Sequence, residues 1–183
     1  LTTQFNGLRC ENDVARSITP IPLTHADFKP FGDVIEAGNV KTRSINEGNT
    51  TRYHDLADLD LSAEGGRPGL NIFRSNPQPQ PMILKVMERH PLSSQAFYPL
   101  STFPYLVVVA PTGELDPSAI VAFLARPNQG VNYHKGVWHH YSLALVGISD
   151  FLVVDRISDD ENCDEVRLTG EDRIEIEMSN TRL

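Results

Sequence analysis

The sequence predicts one all-β domain carrying a few short helices, and three observations lead there. Apolar runs are short and are separated by Pro, Gly, Asn and Asp at intervals that suit strands. Glycine and proline, 12 and 13 residues, are as plentiful as in turn-rich β proteins. A chain of 183 residues fills one core well and two cores poorly, because a domain of that size buries roughly 70% of its unfolded surface.

In chain order the expected strands are SITPIPL (17–23), GDVIEA (32–37), LNIFRS (70–75), PMILKVMERH (81–90), QAFYPL (95–100), YLVVVAP (105–111), YSLALVG (141–147), DFLVVDR (150–156) and DRIEIEM (172–178). Two stretches read as helices. In THADFKPFG, Thr24 caps the start and Pro30 and Gly32 stop it; in DPSAIVAFLA (116–125), Asp116 is the cap and Pro117 takes the first helical position. The polar stretch from Gly38 to Gly69 is too long for a plain connector, and such loops are often functional. The acidic run ISDDENCDEVRLTGEDRIEIE reads as a solvated loop and a last strand, whose Glu175 and Glu177 face outward between Ile174 and Ile176.

Bulk properties exclude several functions. A formal net charge of -8 leaves no basic surface for nucleic acid. The apolar runs fall far short of the roughly 20 residues of a membrane helix, and the start LTTQFNGLRCEN has no signal pattern. Cys10 and Cys163 sit in no metal or disulfide spacing, which suits a reduced setting, so a cytoplasmic protein without a membrane partner is expected. GxSxG, P-loop and GxGxxG motifs are missing, which disfavours serine hydrolase and nucleotide chemistry.

Chemistry concentrates in two places. GVNYHKGVWHHYSL (130–143) holds three histidines and the single tryptophan; strand alternation puts Val137, His139 and Tyr141 on one side and Trp138 and His140 on the other. The two adjacent histidines then cannot both face the core, and a functional site is favoured over one buried and one surface side chain. In PMILKVMERH the same alternation groups Leu84, Val86, Glu88 and His90 against Ile83, Lys85, Met87 and Arg89. If Lys85 and Arg89 meet solvent, Glu88 and His90 point inward, where they are costly unless paired or used. Trp138 is expected to be structural.

ERHPLSSQ and HKGVWH together resemble the two motifs of the cupin superfamily, an H-x-H followed by Glu and a later P-x-G-x-x-H, which place metal ligands inside a small antiparallel β-barrel or jelly roll. Glu88 takes the first His position, His90 the second and Gln95 the Glu position. His134 replaces the later Pro, followed by Gly136 and His139. The resemblance implies a ligand set of Glu88, His90, Gln95 and His139 for a loosely held divalent transition metal, Ni, Mn or Fe.

A more specific resemblance spans nearly the whole chain. FKPFGDVIEAG, INEGNTTRYHDLADLDL, NIFRS, MERHPLSSQAFYPL, YLVVVAP, FLARPNQGVNYHKGVWHHYSLAL and DFLVVDR with DENCDE are similar, in that order, to the ureidoglycolate lyase family of allantoin breakdown. It implies release of urea from (S)-ureidoglycolate to give glyoxylate, on a cupin-type barrel, in a homodimer. Residues 1–16 look like an N-terminal extension of the family domain, which would occupy 17–183. His139, His90 and Glu88 are the candidate acid and base groups, acting as one coupled cluster. Because the substrate is an anion, local cations must hold it: Arg52, Lys135 and Arg74 are the candidates, with Tyr133 and Gln95 as donors to the ureido oxygen. Two other functions fit the same barrel, a non-catalytic cupin that binds a small carboxylate and a metal-dependent isomerase or oxygenase.

Overall fold

The computed structural model describes residues 16–38 and 40–178. The extension expected over residues 1–16 lies, apart from Arg16, outside the described residues, as does Cys10. The described chain is a jelly-roll sandwich of β layers. A five-stranded sheet runs Gly32–Ile35, Gly130–Tyr133, Gln95–Pro99, Ser149–Ile157 and Arg67–Ser75 from edge to edge. A seven-stranded sheet runs Asp164–Arg167, Val86–Arg89, Trp138–His139, Tyr105–Ala110, Val121–Ala125 and Ile21–Pro22, with Leu143–Ala144 also on Tyr105–Ala110. A three-stranded sheet of Arg16–Ile18, Ile174–Ile176 and Met82–Leu84 forms a third layer. Two pairings are parallel, Arg16–Ile18 with Ile174–Ile176 and Ile21–Pro22 with Val121–Ala125. The all-β expectation is met; the two large sheets share no strand, so their hydrogen bonds do not close into a barrel.

Alternation along YLVVVA explains the layers. Tyr105, Val107 and Val109 face the five-stranded sheet and pack with Phe97, Val131, Phe151 and Val153. Leu106, Val108 and Ala110 face the other way, onto Met82, Leu84, Ile174 and Ile176. This strand is therefore buried at every position, as a continuous apolar run requires when both faces of its sheet are covered.

Several expectations change because tertiary pairing overrides local pattern. SITPIPL splits at Thr19 and Pro20 into two strands of different sheets. PMILKVMERH splits at Lys85 in the same way, so Leu84 and Met87 share one core while Glu88 and His90 turn to the other side. The helix expected over 116–125 is a single 3-10 turn at Pro117–Ala119, capped by Asp116 as expected, after which VAFLA is a strand between two others. Its Val and Phe suit a pleated surface, and the sheet partner supplies the hydrogen bonds. The helix after Thr24 forms at His25–Phe28, with the Thr24 side chain accepting from the Asp27 amide at 3.1 Å. Glu175 is half-buried and Glu177 exposed beside buried Ile174 and Ile176. The acidic run, read as a loop, contains the strand Asp164–Arg167, which caps the edge of the seven-stranded sheet beside Val86–Arg89. The long polar stretch holds a hairpin, Thr42–Ile45 with Thr50–Tyr53. Its continuation is strapped to the five-stranded sheet through Asp58, whose amide donates to Asp33 at 3.1 Å, and Asp60, whose amide donates to Ser94 at 3.0 Å.

Gly32 pairs with Tyr133 so closely that a Cβ there would meet the Asn132 carbonyl oxygen at 1.9 Å, with backbone rather than a flexible side chain as the obstacle. Gly32→Ala is expected to destabilise the protein by roughly 1–3 kcal/mol, in the range of overpacked core substitutions; urea unfolding of the variant against the parent measures it.

Candidate active site

Three strand registers assemble the polar cluster. His139 lies directly opposite Glu88 across the Trp138–His139 and Val86–Arg89 pair, and Val109 lies opposite His139, so all three face the space between the large sheets. His90, two residues beyond Glu88, keeps the same direction. From the facing sheet Tyr133 and Gln95, themselves opposite one another, come in phase with Phe97. The rings of Tyr133 and His139 stack with centroids 4.3 Å apart and planes 2° apart, which joins the two sheets.

The adjacent histidines are both buried, at 1% and 2% exposure. Alternation does send them to opposite faces, but both faces of this sheet are covered. His140 sits in the second layer, where its Nε2 accepts from the Lys85 amide at 3.4 Å. Trp138 shares that side and is structural: its Nε1 donates to the Gly113 carbonyl at 3.0 Å and the Arg89 guanidinium lies 4.6 Å over its ring.

Hydrogen bonds decide which nitrogens are bare. His90 Nδ1 lies 2.6 Å from the Asn162 carbonyl, which only accepts, so Nδ1 carries the proton. His139 Nδ1 faces the His140 carbonyl at 3.4 Å and a Glu88 oxygen at 3.6 Å, again acceptors. In the neutral form of each ring Nε2 is then the bare nitrogen, buried and without a partner among the described residues. Burial holds His139 down to about 3, with His90 beside it acting in the same direction, so its contact with Glu88 is that of a neutral imidazole and not an ion pair. Burial pushes the Glu88 carboxyl up; His90 opposes this, and Glu165, opposite it on the edge strand, adds to it.

Donor atoms of Glu88, His90 and His139 all lie within 4.8 Å of one another. Two imidazoles and a carboxylate suit a borderline transition metal, so these residues fit the ion that the motif implied. Gln95 Oε1 is buried and partnerless as well.

Beside the cluster opens a cavity of about 210 Å³, lined by His90, Ser93, Gln95, Asp155, Arg156, Ser158, Asp160, Asn162 and Cys163. Glu88 and His139 adjoin it through His90, whose ring centroid is 5.2 Å from that of His139. Asn162 organises this wall: its side chain accepts from the Leu92 amide at 2.7 Å and donates to Ser93 at 2.8 Å. Burial pushes the Asp155 carboxyl up, while His90 and hydrogen bonds from Asn71 and Gln95 pull it down. Arg156, with a side chain 1% exposed, donates to the carbonyls of Ala63 and Glu64, to Ser158 and to Asp160.

The comparisons agree with one another. A family model described as ureidoglycolate lyase matches residues 15–176. The chain belongs to the ureidoglycolate lyase family. A ureidoglycolate lyase of Burkholderia mallei (strain NCTC 10229) is 56% identical over 147 residues, covering 80% of this chain and 86% of that protein. One of Burkholderia cepacia is 52% identical over 147 residues, covering 80% and 83%, and one of Pseudomonas syringae pv. tomato is 47% identical over 151 residues, covering 82% and 89%.

Within this lyase family member, the structure brings Glu88, His90, His139, Gln95 and Tyr133 together and leaves the three expected cations elsewhere. Arg74 is exposed and holds Asp150 through two hydrogen bonds of 2.8 Å. Lys135 lies 3.5 Å from Asp60 on the strapped loop. Arg52 is exposed on the hairpin, opposite Arg43. None of the three lines the cavity; its cation is Arg156, which sequence reading passed over together with Asp155, Ser93 and Asn162. One signal was available for Asp155: alternation in DFLVVDR sets it in phase with Phe151 and Val153, an acid ending a core face.

The hydrogen bond from Arg74 holds the Asp150 carboxyl below its ordinary value. A depressed folded-state value contributes stability above the ordinary Asp range, about 3.9, and that contribution fades as pH falls through it. Arg74→Ala is expected to return Asp150 toward its ordinary value in an NMR titration and to leave turnover and the Michaelis constant unchanged, since neither partner lines the cavity.

Proposed function

We propose that the protein is a carbon-nitrogen lyase that cleaves (S)-ureidoglycolate to glyoxylate and urea in purine catabolism. The observation that supports this most directly is the pairing of a family match over residues 15–176 with a buried cluster of bare imidazole nitrogens at a small polar cavity. Ureidoglycolate carries its hydroxyl and its ureido nitrogen on one carbon. Removing the hydroxyl proton lets the oxygen become the aldehyde carbonyl as the C–N bond breaks, and the nitrogen leaves with a proton as urea. One proton moves from oxygen to nitrogen, so a single group can shuttle it.

His90 is the histidine of the cluster that lines the cavity, and its Nε2 has no partner among the described residues. In this reading it takes the hydroxyl proton and hands it to the leaving nitrogen. The Asn162 carbonyl holds the ring in the required tautomer, and Glu88 lies where it stabilises the imidazolium that forms. Arg156 supplies positive charge for the substrate carboxylate. Glu88, His90 and His139 are also the residues that would hold a divalent metal such as Ni, Mn or Fe, which when bound supplies a Lewis acid for a substrate oxygen. Nε2 of His90 cannot serve as ligand and base at once, so metal analysis combined with an assay after chelation separates the two roles.

Incubation with (S)-ureidoglycolate should release urea faster than the spontaneous reaction; folded protein that gives no excess urea would remove the proposal. His139→Ala is expected to lower kcat by roughly 10²- to 10⁴-fold with a small change in the Michaelis constant, because it disturbs the proton-handling cluster and not the cavity wall.

We further infer a homodimer through the outer face of the five-stranded sheet. Leu70 and Ile72 are 71% and 55% exposed on its edge strand, and register places them beside Val154 and Leu152. Val154 and Leu152, with Tyr98, Ala96 and Leu59, line an apolar hollow, and Leu70 and Ile72 stand beside it on the edge strand. A long apolar edge facing water invites pairing, and a second copy of the same face is self-complementary. Leu70→Glu combined with Ile72→Lys should halve the mass seen by light scattering without altering the far-ultraviolet circular dichroism; an unchanged mass places the dimer elsewhere. A free, exposed Cys163 accords with a reducing, cytoplasmic setting.

A further inference from the structure

Gln95 and Asp155 stand on neighbouring strands of the five-stranded sheet, and each faces inward, in phase with Phe97 and Val153, which pair directly. Both line the cavity. The Asp155 carboxylate accepts from Asn71 Nδ2 at 2.9 Å, and Gln95, one step beyond the Val154–Ala96 pair, stands beside it and helps hold its carboxyl down. A carboxylate at neutral pH can only accept, so the Gln95 amide must turn its nitrogen to Asp155. Its oxygen is left buried, in a residue 6% exposed, with no donor among the described residues. A buried acceptor without a donor is costly, and the cost is removed when a ligand brings an N–H to it.

We propose that Gln95 and Asp155 form the subsite that reads the ureido nitrogens of the substrate, with Gln95 Oε1 as acceptor and Asp155 as the positioning residue that locks the amide. This rests on the lyase reading and reverses the expectation that Gln95 donates to the ureido oxygen. The matching ligand end is neutral and rich in N–H groups, as an amide or ureido group is. Holding the ureido end here sets the leaving nitrogen on the wall that His90 also lines, and makes discrimination depend on hydrogen bonds that an analogue without nitrogen cannot form.

Two inert probes test it by isothermal titration. N-carbamoylglycine keeps the ureido group and the carboxylate but has no hydroxyl, so it is not cleaved; glycolate has the hydroxyl and the carboxylate but no nitrogen. Gln95→Met and, separately, Asp155→Asn should weaken N-carbamoylglycine by roughly 10- to 100-fold, the range for one hydrogen bond to a charged or locked polar group, and leave glycolate unchanged. Thermal unfolding of each variant checks that it folds, and either variant alone decides. Equal weakening of both probes would make Gln95 a metal ligand or a structural residue and overturn the proposal, as would no weakening of either. Wild-type protein that releases urea from ureidoglycolate yet binds N-carbamoylglycine no better than glycolate removes the subsite and keeps the lyase; a preference for N-carbamoylglycine without urea release does the reverse.

Discussion

The register that sets His139 against Glu88 is the constraint on which the rest of the site depends. Side chains on a strand alternate with a period of two, so one residue of slippage would send Glu88 out of the interior and bring Met87 in. The register is held from both sides. Met87 is fully buried in the second core, and Val109, opposite His139, is fully buried in the first. Apolar burial on the two faces of one sheet therefore fixes where an acid and two imidazoles must point. The apolar residues hold the polar ones in place.

That placement has an electrostatic consequence. An imidazole and a carboxyl moved out of water both favour their neutral forms, and the shifts at His139 and Glu88 follow that direction. Backbone carbonyls then choose the tautomers, because the Asn162 and His140 oxygens accept and cannot donate. The outcome is two imidazole rings with centroids 5.2 Å apart, each with a buried, partnerless Nε2 among the described residues, and Tyr133 stacked on one of them. Such nitrogens are available to a metal or to a proton, and the same geometry serves either chemistry.

Charge is organised differently at the surface and in the cavity. With a net charge of -8 the chain has acids to spare, and cations find them: exposed Arg74, Lys135 and Arg126 pair with Asp150, Asp60 and Glu36, and half-buried Arg89 with Asp164. These pairs are partly solvated and contribute little each. Arg156 differs because its guanidinium is buried and its donors also bind carbonyls of Ala63 and Glu64, tying the turn before the edge strand to the cavity wall. A small polar cavity with one buried cation, acids around it and bare imidazoles behind suits a short anion whose other end is neutral and rich in N–H.

The sequence by itself determined the β class, most of the strands, the cap at Thr24, the grouping of Glu88 with His90 and the family, because these depend on composition, alternation at short range and ordered motifs. It did not yield the strands Gly130–Tyr133, Trp138–His139 and Asp164–Arg167, which are short or polar and exist because a neighbour supplies their hydrogen bonds. It misread VAFLA as helix for the same reason. Burial of both His139 and His140 followed from a third layer that no local pattern announces. The choice among cations was likewise tertiary: a guanidinium in sequence has no partner, and only the folded chain shows that Arg74 is exposed on Asp150 while Arg156, buried on Asp160, lines the cavity.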